Sequence, residues 1–104
     1  MGETTTTVRI RRLVLDVLKP HKPRMDVLAY AIAELNGVNS VNLTRTETDS
    51  STEGIVVTIV GDNLIYQDIE DVLRDYGSSI HSVDEVVAGE QIIDTVALPD
   101  EEER

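Results

Sequence analysis

Ile10-Arg-Arg-Leu-Val-Leu-Asp-Val-Leu-Lys-Pro-His21 reads as a buried strand running straight into a helix start. Leu13, Leu15 and Val17 point to one face and Val14, Asp16 and Leu18 to the other, so both faces carry apolar side chains. Such a strand belongs in the middle of a sheet. Asp16 breaks the pattern, and a carboxylate at that place must be paired, metal-bound or open to water, because burying it alone is costly. It is the first functional candidate.

Outward from this strand the pattern repeats in kind. Pro20 and Pro23 stop the strand, and Pro23 suits the first turn of a helix, where its missing N–H is not needed. Met25, Leu28, Ile32 and Leu35 recur at spacings of 3, 4 and 3, which predicts a helix as far as Asn36 with Gly37 ending it. Residues 38–48 alternate as an edge strand with one wet face, and after the polar turn at 49–52, Gly54 to Gly61 is apolar on both sides. Tyr66, Ile69, Leu73 and Tyr76 repeat the helical spacing, Gly77 stops them, and residues 78–88 form a last strand. The order is strand, helix, strand, strand, helix, strand. It predicts an α+β, ferredoxin-like two-layer sandwich with an antiparallel sheet in the order 4-1-3-2 and both helices on one face. The other face then exposes Val14, Leu18, Val56 and Val60, more contiguous aliphatic surface than a monomer leaves open. Either a second copy or the apolar group Ile92, Ile93, Val96 and Leu98 is expected to cover it. The domain should span 9–90, between a frayed, Thr-rich terminus at 1–8 and an extension at 91–104 that ends in an acidic tail.

Composition excludes several functions. The 104 residues suffice for one core, and the absence of Cys removes disulfides, zinc–thiolate sites, iron–sulfur clusters and thiol catalysis. No apolar run approaches the roughly 20 residues that cross a bilayer, and Met1 to Thr7 lacks the features of a signal peptide, so no membrane association and a cytoplasmic location are expected. The net charge is −11, divided between +3 over residues 1–45 and −14 over residues 46–104. A surface so acidic repels nucleic acid, and with two Lys, no Phe and no Trp it resembles proteins of high-salt cytoplasms. RNA-binding domains of this fold stack bases on aromatics of the open sheet face. Here the aromatics are Tyr30, Tyr66 and Tyr76, all on predicted helices. There is no nucleophile elbow and no Gly-rich phosphate loop, so a non-enzymatic protein is expected.

Leu15-Asp-Val-Leu-Lys-Pro-His21, Gly37-Val38 with Val41-Asn42, and Ile80-His-Ser-Val-Asp-Glu-Val-Val-Ala-Gly89 resemble the archaeal family called domain of unknown function 211. The resemblance spans residues 8–90. It implies a ferredoxin-like fold, assembly into homo-oligomers and an association with calcium, and it implies no established activity; closed rings or extended arrays built through the sheet face and edge strands are the assemblies expected. Ile65 departs from the pattern, where an Asp at the start of the second helix is expected.

In this topology the ends of the first and second strands and the starts of the third and fourth share one edge. Asp16, His21, Glu47, Asp49, His81 and Asp84 therefore form the candidate metal set, His favouring a transition metal and the carboxylates calcium. The bland alternative pairs Asp16 with a neighbouring His or Arg. An alternative anion site consists of Lys19, His21, Lys22 and Arg24 around the start of the first helix, where free N–H groups and the helix dipole favour negative charge. The function expected is a self-assembling subunit that binds divalent cations, and the competing one is a small-molecule or anion-sensing regulatory domain of the same fold.

Overall fold

A computed structural model describes residues 8–96. The elements are β1 (Ile10–Pro20), α1 (Met25–Ala33), β2 (Val38–Thr48), β3 (Thr52–Gly61), α2 (Tyr66–Asp75) and β4 (Ser79–Ala88). All sheet pairings are antiparallel and the spatial order is β2-β3-β1-β4, the ferredoxin-like order expected. The residues at 1–7 and 97–104, and with them the Thr run, Leu98 and the acidic tail, lie outside the described residues.

The core follows from the alternation. Leu13, Leu15 and Val17 of β1 and Ile55, Val57 and Ile59 of β3 are buried against Leu28 and Ile32 of α1 and Ile69 and Leu73 of α2. Each such side chain stabilises the fold by roughly 1.5–3 kcal/mol relative to exposure. Helix α1 is shorter at both ends than the periodicity predicts. Pro23 stands ahead of the extended Arg24, and after Ala33 the chain tightens into i→i−3 bonds, Leu35 N–H to Ile32 O and Val38 N–H to Leu35 O. Helix α2 begins after Ile65, where no side chain caps it, the structural counterpart of the missing Asp. At one corner, two loops pass so closely that only glycine fits. Asp62 N–H donates to Gly37 O at 3.1 Å, and a Cβ on Gly61 would stand 1.9 Å from that same oxygen.

Periodicity did not show the register shifts. In β4 the partners of β1 step from Ile80 to Ser82 and from Val83 to Glu85, which leaves His81 and Asp84 as extra residues in two bulges. In β2 the partners of β3 step from Val38 to Ser40 and from Arg45 to Glu47, leaving Asn39 and Thr46 extra. A bulge re-aims the side chains that follow it, and these strands are the two outer ones.

The sheet face away from the helices carries Val14, Asp16 and Leu18 of β1 and Val56, Thr58 and Val60 of β3. Among the described residues, no helix or strand lies over it. Leu18 is 47% exposed, and the three valines are half-buried. The described part of the C-terminal extension reaches the β4 side of this face, where Thr95 Oγ1 donates to Glu85, the cross-strand partner of Val14, while its apolar side chains stay largely exposed: Ile92 is 43%, Ile93 61% and Val96 70% exposed.

Candidate functional site

The polar residues at the shared edge are divided by the sheet into two groups. On the open face, Asp16, Leu18, Glu47, Asp49, Thr52 and His81 line a concavity of about 590 Å³. Asp16 reaches it as the half-buried exception among the β1 apolar residues, and His81 reaches it from a bulge opposite. Glu47 reaches it because the extra Thr46 shifts the alternation of β2, so that Glu47 stands across from Gly54. A Cβ on Gly54 would lie 3.1 Å from the Glu47 Cγ, so the glycine makes room for that side chain.

On the helix side, a chain of charges closes the bottom of the core. Lys19, next in alternation after Leu13, Leu15 and Val17, is completely buried. Its Nζ donates to Pro20 O at 2.9 Å, to His21 O at 3.4 Å and to Glu53 Oε1 at 3.4 Å. Glu53 occupies the matching position ahead of Ile55, and its other oxygen lies 3.2 Å from His21 Nδ1. The Nε2 of the same ring lies 3.2 Å from Asp49 O and 3.1 Å from Ser50 O. The His21 hydrogen bond holds the Glu53 carboxyl below its ordinary value, helped by Lys19, and in turn Glu53 raises the His21 imidazole above its ordinary 6.5, helped by Ser50 O.

Of the six candidate metal ligands, the structure brings Asp16, Glu47, Asp49 and His81 around one concavity and leaves two elsewhere. His21 has both ring nitrogens engaged on the helix side, so it offers no lone pair to a cation in this arrangement. Asp84 accepts from Ser82 Oγ at 2.7 Å. Asp49 already accepts from Ser50 N–H at 2.8 Å. Among the described residues, no group of three or more His, Asp or Glu stands close enough to hold a metal ion. The anion alternative loses coherence too: Lys19 is turned into the core, His21 toward Glu53, and Arg24 pairs with Asp26 at 2.7 Å, which lowers the Asp26 carboxyl to about 2. That leaves Lys22. Glu53 was missed from the sequence. The available signal was its place two residues before Ile55 in an alternating strand, across from Lys19.

The fold and this edge define a small ferredoxin-like α+β protein with one sheet face over which no described helix or strand lies and a polar concavity at one end. Residues 11–102 match the family DUF211, described as uncharacterized ArCR, and the chain belongs to that family. It is 46% identical over 90 residues to an uncharacterized protein of Methanocaldococcus jannaschii, a match that covers 86% of this chain and 93% of the relative. The family description carries no activity. No helix among the described residues is long and apolar enough to cross a membrane.

Proposed function

We propose that the protein is a non-catalytic subunit that assembles with copies of itself through its open sheet face, in a cytoplasm of high salt. One observation carries this reading: Val14, Leu18, Val56 and Val60 form an aliphatic surface on the two central strands, and no helix or strand among the described residues lies over it. Removing apolar surface from water is worth about 25 cal/mol per Å², and a self-complementary face is the simplest cover a chain has for it. RNA stays outside the reading because Tyr30, Tyr66 and Tyr76 sit on or beside the helices.

Divalent cations enter at the contact. Asp16 and Glu47 line the concavity beside Leu18, and the described residues of one chain supply too few ligands for an ion that takes six to eight oxygens. Calcium binding on this reading needs carboxylates from two copies. Fourteen excess negative charges over residues 46–104 repel across any such contact, and salt shortens their reach from about 30 Å at 0.01 M to about 3 Å at 1 M.

The test is the native mass of the particle by sedimentation in molar KCl, with a chelator and then with calcium. A multimer is expected, and Val56→Asp should reduce it to folded monomers. A stable wild-type monomer at micromolar concentration overturns the reading.

A further inference from the structure

The chain turns back on itself after β4. Gly89, at φ 132°, donates its N–H to Arg9 O at 2.8 Å, and Thr95 Oγ1 then donates to the Glu85 carboxylate. The segment between them therefore returns beside the strand it has just left, on the side of the open sheet face, because Glu85 is the cross-strand partner of Val14. It brings Ile92, Ile93 and Val96 to the rim of that face and leaves them largely in water. We propose that this segment is an exchanged arm: Ile92, Ile93 and Val96 of one copy dock on the Val14, Leu18, Val56 and Val60 surface of a second copy. The inference rests on assembly through that face and names what covers it.

A charged pair separates the arm from its own face. Arg12 stands across from Val60, and Glu85 across from Val14, so both side chains emerge on the open side. They pair at 3.1 Å and are 25% and 21% exposed. Thr95 is held by Glu85 on β4, the outer strand, and Arg12 on β1 lies between that anchor and Val60 on β3. To reach the valines of its own chain, the arm would have to lie flat across this pair and press apolar side chains on two charges, which is costly. A second copy facing the first meets the same side chains as they stand, already turned to solvent.

Area points the same way. A specific interface takes about 800 Å² from each partner. Four aliphatic side chains, three of them already half-buried, fall well short of that, and the arm extends the same apolar patch past the β4 rim. Where two copies exchange arms reciprocally, each contact is made twice. Glu90 and Asp94 lie in the arm and Asp16 in the face, so docking is favoured at high salt.

The chain contains no Cys, so introduced thiols report on single positions. In the full chain, Ile93→Cys is combined in turn with Val14→Cys, Val56→Cys and Val60→Cys, oxidised with copper–phenanthroline in molar KCl, and the disulfides are mapped by mass spectrometry in the separated covalent monomers and dimers. A link from position 93 to at least one face position is expected in the dimers. In a separate variant, Ile92→Ser/Ile93→Ser/Val96→Ser, the circular dichroism of the fold should be unchanged and the native mass should fall to that of the monomer. The proposal is overturned if position 93 links to the face only within one chain or not at all, or if the triple variant keeps the wild-type mass; where a thiol variant fails to fold, the triple variant decides. In those cases a multimeric wild type that Val56→Asp dissociates leaves assembly through the face standing, whereas a monomeric wild type removes both.

Discussion

Lys19 is the largest side chain in the core to be fully buried, and replacing it with Met tests what holds the lower end of the sheet. The side chain is 1% exposed and its partner Glu53 11%, so neither charge has water to fall back on. Met fills most of the methylene stem and removes the ammonium. Glu53 is then left with His21 alone, and the carbonyls of Pro20 and His21 lose their donor. Removing one partner of a buried pair costs about 3–5 kcal/mol. At about 4–8 °C per kcal/mol for a domain of this size, Lys19→Met should lower Tm by 12 °C or more. The companion variant Lys19→Met/Glu53→Leu removes both charges and continues the apolar rows of Val17 and Ile55, so it should melt above the Lys19→Met single variant. Thermal unfolding followed by circular dichroism in molar KCl at pH 6 reads both, and at this pH the His21 imidazolium still faces Glu53. Repeating the scan at pH 9 should widen the deficit of the single variant, because Glu53 then loses its second cation as well. A loss below about 1 kcal/mol, or a double variant that melts at or below the single one, would refute the view of these residues as a mutually compensating buried pair.

Other outcomes follow from the same contacts. The raised His21 contributes stability that is complete below 6.5 and is lost as pH rises through its folded value, while the lowered Glu53 contributes stability that is complete above 4.5 and is lost as pH falls through its folded value. Urea unfolding should therefore show a stability plateau between about 4.5 and 6.5 with decline on both sides; a steady gain from pH 6.5 to 9 contradicts this. Gly61→Ala places a methyl 1.9 Å from Gly37 O and 2.7 Å from Leu64 Cδ2, and should cost roughly 3 kcal/mol or more in Tm measurements, since backbone cannot give way there. Asp16→Asn should abolish any recovery of the assembly by millimolar calcium in dilute buffer while sparing recovery by molar KCl; equal recovery by calcium and magnesium in both proteins would reduce the cation effect to screening.

Periodicity alone was enough for the architecture, because both signals in it are simple. β1 and β3 are apolar on two faces and so had to be central, and each helix shows one stripe that buries its middle pair, Leu28 with Ile32 and Ile69 with Leu73. The site was legible only in part. Topology placed Asp16, Glu47, Asp49 and His81 along one edge, which the concavity reproduces. What it did not supply was the face on which each side chain emerges, since a single extra residue reverses alternation, and nothing in the residue types at Thr46, His81 or Asp84 announces a bulge. Lys19 was misjudged for a related reason. A lysine at a strand end beside prolines resembles a solvated or anion-binding group, and only the three-dimensional register shows Glu53 across from it.

The bulges also bear on how the protein behaves when crowded. A regular outer strand offers an evenly spaced row of N–H and C=O groups on which another chain can extend the sheet without limit, the route to fibrils. Here β2 is interrupted at Asn39 and Thr46 and β4 at His81 and Asp84, so both rims present broken rows of donors and acceptors. An incoming strand that matched the first few positions would fall out of step within the length of the rim. Bulges of this kind work against endless ribbon growth at both rims of the described sheet.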